Sequence, residues 1–360
     1  MSSEPILETA EEEQIQESIE ENIGLINAAV RSGRIPPREM AEVLRRALET
    51  AAQQVEGQVL EQFTAGELNR DYWTQVKKRR DAAPTGFSKL DDALGGGLEA
   101  QRLKVILGAP GSGKTTFTNQ LVTNIADSGR PVFYVTSEDS PFTLLAKTLS
   151  RIGDVNYTAV LKGWENAAEK INAALRIHAE KLSTERLRYL DASNGVGLDS
   201  IKKVAVSHFE MYREDGGQGV LVIDYLQRMA RAQRGNTLME LRQRVTQLTE
   251  ELRVVAKELD CCVIALASQN RASGYGASNG SALSSAKESG DIEYTADVIM
   301  SLAEDKRDAK NGRQQKMVGG SSVVRPWLLC IDKNRLGQND LKIELDWRAD
   351  RQQFTTVEER

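Results

Sequence analysis

From about residue 85 onward, short apolar runs rich in β-branched residues alternate with stretches of helical periodicity. The runs predict strands at Leu103–Leu107, Val132–Val135, Val220–Ile223, Val263–Leu266, Val298–Met300 and Leu328–Ile331. Strands that alternate with helices predict an α/β fold with a mostly parallel sheet covered on both faces. The clearest helix runs from Leu238 to Leu259. A helix docked on the sheet is favoured there over a coiled coil, because the pattern is only about three heptads long.

The first 65 residues follow a different pattern. Residues 1–30 contain no Lys or Arg and many Glu, and their apolar residues recur at helical spacing. Pro36 and Pro37 interrupt this helix, and a second helical pattern runs to about Phe63. We therefore expect an acidic, all-helical N-terminal region over 1–65, able to recruit a protein partner. A linker helix and turn follow over 66–84, and the main α/β domain occupies 85–360.

Composition restricts where the protein works and what it binds. The formal net charge is −5, so any nucleic-acid contact must come from a local cluster of Lys and Arg. Cys261, Cys262 and Cys330 have no metal-ligand spacing and are predicted to be buried, reduced thiols. The sequence contains no apolar run long enough to span a membrane and no secretion signal. A cytoplasmic protein is expected, without membrane contact.

The segment with the clearest chemistry follows the first predicted strand and precedes a helical run, the context that a phosphate-binding P-loop needs. Its glycines let backbone N–H groups turn toward phosphate oxygens at a helix N-terminus, Lys114 reaches the β- and γ-phosphates, and the Thr115 hydroxyl binds Mg²⁺. ATP and Mg²⁺ are therefore the expected cofactors. The predicted nucleotide-binding residues of this segment are Gly108, Ala109, Pro110, Gly111, Ser112, Gly113, Lys114, Thr115 and Thr116.

Two other predicted strands end in acidic residues. Asp224 follows an apolar run and is predicted to bind nucleotide and to hold the magnesium ion with Thr115. Glu138 follows the second strand, where an acid can orient and polarise the attacking water. Its neighbour Asp139 is a rival for that role, and the whole segment could also be a polar loop that caps a helix.

Two cations follow the last of these predicted strands, beside a glycine. Lys333 and Arg335 are candidates for catalytic groups supplied to the γ-phosphate of another subunit. The alternative for this segment is a charged hairpin turn.

Taken in order, these segments resemble the C-terminal motor domain of DnaB-type replicative helicases, from about Thr85 to Phe354. Similar motifs include Ile223–Gln227, which contains Asp224, and Lys287–Glu293. The resemblance implies a RecA-like fold and a hexameric ring around single-stranded DNA, with Glu138 as the catalytic glutamate. It further implies that Lys333 and Arg335 act on the ATP of the adjacent subunit, and that Lys287, Glu288 and Gly290 belong to a loop that binds DNA.

The sequence departs from the family in three places. The family more often has Arg at the position of Lys287. Its Ser-Gln pair at the γ-phosphate sensor is displaced here, which leaves Ser268 and Gln269 as alternatives, with Gln269 included among the catalytic residues. Residues 1–65 do not resemble the family's N-terminal domain.

Arg231 and Arg234 are further candidates for DNA contact, since they follow the strand that ends at Asp224.

Two other classes of function remain open on the sequence. One is a recombination ATPase resembling RadA, which shares a Lys-Asn-Arg-x-Gly motif. The other is a regulatory or scaffold ATPase whose acidic helices recruit a partner. Those helices could also mimic DNA and occupy the channel of the ring.

Overall fold

The computed structural model describes residues 65–215, 217–232, 240–268, 290–305, 316–318 and 322–357. The chain divides into two compact units, Met1–Tyr72 and Trp73–Arg360. Within the first unit only residues 65–72 are described, so the predicted acidic helices lie outside the described residues. The predicted linker helix is present as α1, Ala65–Arg80. The boundaries predicted for the three regions stay a prediction.

The second unit alternates strands with helices, as the apolar pattern predicts. Its strands are β1 (Arg102–Gly108), β2 (Val132–Thr136), β3 (Leu187–Asp191), β4 (Val220–Asp224), β5 (Cys262–Ser268), β6 (Val298–Glu304), β7 (Lys316–Val318), β8 (Ser322–Asn334), β9 (Leu341–Arg348) and β10 (Gln353–Thr356). Its further helices are α2 (Ser88–Ala93), α3 (Lys114–Asp127), α4 (Pro141–Ile152), α5 (Tyr157–Lys162), α6 (Ala168–Ala179), α7 (Ser183–Arg186), α8 (Leu198–Glu210), α9 (Leu226–Ala232), α10 (Leu241–Glu258) and α11 (Gly290–Thr295).

These strands form one ten-stranded sheet with the order β10-β9-β8-β6-β1-β5-β4-β2-β3, and β7 pairs with β8. The strands from β6 to β3 are parallel, and β8, β9 and β10 extend the sheet in antiparallel fashion. The α/β fold with a mostly parallel sheet is thus confirmed. Strand β1 lies near the middle, between β5 and β6, which puts the P-loop segment at the centre of one sheet edge.

Successive residues of a strand point to opposite faces, and both faces of this sheet are covered. Leu103, Val105 and Leu107 of β1 belong to one buried apolar cluster with α8, α9 and α10, whereas Ile106 belongs to the other cluster with α3. A strand buried on both faces has to be apolar throughout, which explains the continuous apolar runs of the central strands.

The longest helix described in the second unit, α10, docks on the sheet as predicted. Its residues Val245, Leu248, Leu252 and Val255 are buried in the same cluster as β1 and β5. Glu240 and Gln243 form a capping box at its N-terminus, so the helix begins at Leu241.

The remaining findings concern the thiols and the length of the helices. Cys261 and Cys262 are buried free thiols, as predicted, whereas Cys330 is only partly buried. In the part of the chain that the structure describes, no helix has both the length and the apolar character of a membrane span.

Asp332 in β8 lies in an environment that disfavours the ionised form of its carboxyl group. Burial raises the pKa of Asp332 to about 6, against a hydrogen bond with Ser301 that lowers it. One of its oxygens, Oδ2, is buried without a hydrogen-bond partner among the described residues. The folded state therefore favours the protonated carboxyl, and this contribution to stability is lost as pH rises from the ordinary value of 3.8 through about 6.

Replacement of Asp332 by Asn should consequently stabilise the protein at pH 8 and change little at pH 4. We expect a gain of about 1–2 kcal/mol at pH 8, allowing for the partial exposure of the group. Urea unfolding at both pH values measures the effect. An equal change at pH 4 and pH 8 would contradict the assignment.

Candidate nucleotide site

The P-loop connects the end of β1 to the first turn of α3. Gly108 is the last residue of β1, and Lys114 is the first residue of α3. Between them Gly111 and Gly113 have φ angles of +79° and +86°, in the left-handed region that favours glycine. The backbone N–H groups at the start of this 14-residue helix thereby form an anion-binding end.

The loop is closely surrounded. A Cβ atom on Gly108 would lie 2.5 Å from Ser112 Oγ and 2.9 Å from the carbonyl oxygen of Leu302. A Cβ atom on Gly113 would lie 3.0 Å from Phe354 Cζ. Trp327 Nε1 donates a hydrogen bond of 3.1 Å to the Ser112 carbonyl. The strands of the antiparallel extension therefore help to fix the shape of the P-loop.

Lys114 lies folded back over this loop. Its Nζ donates hydrogen bonds to the carbonyl oxygens of Gly108 (2.8 Å) and Ala109 (3.0 Å). Burial lowers the pKa of Lys114, and the negative charges of Asp224 and Glu138 oppose that shift. The predicted residues Lys114, Asp224 and Glu138 therefore lie at one edge of the sheet, close enough for their charges to interact.

Asp224 ends β4 as a buried carboxyl group. The Tyr134 hydroxyl donates to Asp224 Oδ2 at 2.7 Å, and the Thr115 side chain is a second hydrogen-bond partner. Burial raises the pKa of Asp224 to about 6, while these two hydrogen bonds lower it. Its carbonyl oxygen accepts from the Ser137 N–H at 2.8 Å, which ties the ends of β2 and β4 together.

These residues fit Mg²⁺ and a nucleotide triphosphate. A hydroxyl and a carboxylate that already hydrogen-bond to each other supply the oxygen ligands that Mg²⁺ takes, the remainder coming from phosphate and water. Ser112 Oγ is buried without a hydrogen-bond partner among the described residues, inside the loop that would receive the phosphates. Thr115 and Asp224 would hold the ion, and Lys114 with the backbone N–H groups would hold the phosphates.

The two rival acids after β2 differ in their surroundings. Asp139 forms an ion pair with Lys147, and its carbonyl oxygen accepts a 2.6 Å hydrogen bond from Thr136. Glu138 is exposed and close enough to Lys114 to affect its pKa. Ser140 caps α4 through the Thr143 N–H, so a helix cap is present beside the candidate base.

Two further positions carry contacts that the sequence does not indicate. The Thr116 hydroxyl donates to Gln352 Oε1 at 2.8 Å, so its side chain faces the short turn between β9 and β10. Gln227 donates to the Ser268 carbonyl at 3.0 Å and accepts from the Ser268 N–H at 3.2 Å. This pair of bonds fixes the end of β5, where the γ-phosphate sensor is expected. Gln269 lies outside the described residues.

Lys333 and Arg335 are not part of this cluster. The Lys333 backbone pairs with Ile299 of β6, but its Nζ donates to the carbonyl of Ala296, beside Asp297. The Arg335 N–H binds the Asp297 carbonyl, and the Asp297 N–H binds the carbonyl of Leu103. Leu103 and Gly108 are separated by five strand residues, roughly 16 Å. The two cations therefore lie toward the opposite edge of the sheet from the P-loop of the same chain. The segment is also a hairpin turn between β8 and β9, so that alternative describes its backbone correctly.

The residues predicted to bind DNA are only partly described. Arg231 is exposed in the last turn of α9. Gly290 is the first residue of α11. Arg234, Lys287 and Glu288 lie outside the described residues.

A parallel sheet with a P-loop after its central strand β1, and with an acid at the end of β4, which is separated from β1 by β5, defines a RecA-like P-loop domain. The particular family follows from the sequence. The profile of the DnaB-like helicase C terminal domain matches residues 82–356. The chain belongs to this family.

Curated relatives carry related names. The replicative DNA helicase DnaB of Pasteurella multocida is 31% identical over 226 residues, which are 61% of this chain and 46% of that protein. The replicative DNA helicase DnaC of Bacillus subtilis is 27% identical over 223 residues, 62% of this chain and 47% of that protein. The chain thus spans about half the length of the curated relatives it matches.

Solved structures share the fold. A DnaB-like replicative helicase, described with its interactions with primase, superposes with a TM-score of 0.74 and 19% identity, covering 98% of this chain and 78% of the other. A second structure, described as an ATPase domain, gives a TM-score of 0.67 and 20% identity, covering 83% of this chain and all of the other. Identities this low indicate a common fold alone.

Sequence reasoning missed two residues that the site uses, Tyr134 and Gln227, and also Asp297, which binds Arg335 toward the opposite edge of the sheet. Tyr134 interrupts the apolar run of β2 with a hydroxyl, and Asp297 is a charged residue directly before a predicted strand. Both are fully or almost fully buried, which a polar group tolerates only with partners. Such polar positions in an apolar run were the available signal.

Replacement of Tyr134 by Phe should destabilise the fold at pH 8 by about 1–3 kcal/mol, because a buried carboxylate loses a donor while the ring volume is kept. The matched control is Tyr189→Phe, whose hydroxyl donates to the neutral Asn119 Oδ1 at 3.2 Å. Urea unfolding of both variants measures the difference. Equal losses of unfolding free energy in the two variants would show that the bond from Tyr134 to the Asp224 carboxylate stabilises the fold no more than a bond to a neutral amide.

Proposed function

We propose that this chain is the motor of an ATP-dependent DNA helicase or translocase that works as a homo-oligomeric ring, a hexamer, on single-stranded DNA. The observation that carries the proposal is the separation of two catalytic sets. Lys114, Asp224 and Glu138 lie at one edge of the sheet, and Lys333 and Arg335 lie toward the other. A chain with this layout completes an ATP site only together with a neighbour.

The residues divide the work of hydrolysis. Lys114 and the N–H groups of the P-loop bind the phosphates. Thr115 and Asp224 would hold Mg²⁺, which would supply positive charge to neutralise the phosphates. Glu138 orients the attacking water and accepts its proton. Lys333 and Arg335 of the adjacent chain stabilise negative charge on the γ-phosphate, a contribution on the order of 10³-fold or more in rate.

Strand binding is assigned to Arg231 and Gly290, together with Arg234, Lys287 and Glu288. Backbone and guanidinium contacts to phosphates bind a single strand without sequence preference, and their strength falls steeply with salt. The family match over residues 82–356 favours a helicase over a RadA-like recombination ATPase. A protein partner for residues 1–65 and a cytoplasmic location remain predictions.

A forked duplex tests the function directly. We expect ATP-dependent strand separation, and a rate of ATP hydrolysis that single-stranded DNA increases and that added salt reduces. Lys114→Ala, which removes the phosphate contact, should abolish both activities and serves as the control for contaminating enzymes. Absence of unwinding together with absence of stimulation by single-stranded DNA would overturn the proposal.

Glu138 and Asp139 can be separated by a matched pair of variants. Glu138→Gln should lower kcat by about 10²-fold or more with nucleotide affinity retained, because the amide cannot accept the proton. Asp139→Asn should leave kcat near that of the wild type, since Asp139 is paired with Lys147. Steady-state hydrolysis and binding of a fluorescent ATP analogue measure the two effects. The opposite pattern would assign the base to Asp139.

A further inference from the structure

Asp297, between α11 and β6, has a buried carboxylate whose two oxygens differ in their hydrogen-bond partners. It is 1% exposed. Oδ2 accepts a hydrogen bond of 3.0 Å from the Leu103 N–H at the start of β1. Oδ1 is buried and accepts no hydrogen bond from any described residue. Such an oxygen is costly unless positive charge lies nearby.

Three guanidinium groups supply that charge, and they come from distant parts of the chain. Arg102 and Arg253 each lie 3.8 Å from Asp297 Oδ1, and Arg335 lies 3.6 Å from it. Arg102 also pairs with Glu99. Arg335 therefore lies about as close to Asp297 Oδ1 as the other two guanidinium groups do, within the range of an ion pair.

The end of α11 holds both predicted trans-acting cations. Lys333 Nζ donates to the carbonyl oxygens of Glu293 and Ala296, the latter at 2.9 Å. Arg335 Nη2 donates to the carbonyl oxygen of Tyr294. The C-terminal carbonyls of a helix favour positive charge. Since the Asp297 carbonyl also accepts the Arg335 N–H at 3.0 Å, the cations and the helix end form one unit.

We propose that Asp297 is a positioning residue for catalysis in the adjacent subunit: it fixes the Arg335 guanidinium and the helix end that holds Lys333. The inference rests on the proposed function, because it requires that these cations act on a neighbour's ATP. Lys and Arg lose much rotamer freedom when they bind a phosphate. Cations already held in place lose less of it at the moment of reaction.

The same unit connects strand binding to hydrolysis. Gly290, assigned to DNA contact, starts α11, and Ala296, whose carbonyl binds Lys333, follows its end. Six residues of helix span about 9 Å, so the two contacts are joined by less than two turns. A displacement of the Gly290 end by a bound strand therefore moves the carbonyls that hold Lys333 and Arg335.

Replacement of Asp297 by Asn tests the inference on the full chain. Asn keeps an acceptor for the Leu103 N–H and removes the charge that faces the guanidinium groups. We expect kcat for hydrolysis in the presence of single-stranded DNA to fall about tenfold or more, as positioning effects of this kind do. The dissociation constant for a fluorescent ATP analogue should stay within about twofold of the wild type, since the P-loop lies at the other edge.

The matched control is Arg253→Gln, which removes a guanidinium group at nearly the same distance from the same carboxylate. It should leave kcat unchanged. An equal loss of kcat in both variants, or a loss of kcat accompanied by a loss of nucleotide affinity, would mean that Asp297 only supports the fold and would overturn the inference. Unchanged kcat in Asp297→Asn would also overturn the inference.

Arg335→Ala separates this inference from the proposed function. If Arg335→Ala retains full activity, the trans-acting role of this cation is wrong and the positioning role of Asp297 is wrong with it, whereas unwinding by the wild type still decides the proposed function. If Arg335→Ala loses activity and Asp297→Asn does not, the proposed function stands and only the positioning role is wrong.

Discussion

The parallel pairing of β1 with β5 on one side and β6 on the other is the constraint on which the rest of the structure depends. Gly108, at one end of β1, lies opposite Ser268 of β5, and Leu103, near the other end, is bound by Asp297. A strand paired on both sides cannot slide without loss of its ladder of hydrogen bonds. The P-loop and the group formed by Asp297 and its three neighbouring arginines consequently keep a fixed separation.

The antiparallel strands complete the nucleotide site from outside the parallel sheet. The Phe354 ring stacks on Trp347 at 4.1 Å and meets Phe117 of α3 edge-on at 5.5 Å. Gln120 of α3 exchanges two hydrogen bonds with the Phe354 backbone, of 2.8 and 2.9 Å. These contacts hold the helix that begins at Lys114, so the C-terminal strands stabilise the geometry of phosphate binding.

The sequence allowed the parallel strands other than β3, the P-loop, Asp224 and Glu138 to be located, because most of these are local patterns of an apolar run followed by glycine or an acid. Strand β9 was missed although its alternation at Leu341–Trp347 was available as a signal. The bond from Tyr134 to Asp224 joins residues 90 positions apart, and that from Leu103 to Asp297 joins residues 194 apart. Such contacts are set by strand order and register, which no local pattern specifies.

The stiffness of β1 has a mechanical consequence for an assembly of the proposed kind. Each chain would offer its P-loop, at one end of β1, to one neighbour and its Arg335, held through Asp297 near the other end of β1, to the second neighbour. A rotation that tightens the first interface would then tilt the second by an amount fixed by the length of the strand. The distance between the two interfaces would then be constant within each chain. The order in which the sites open and close would follow from this rigid geometry.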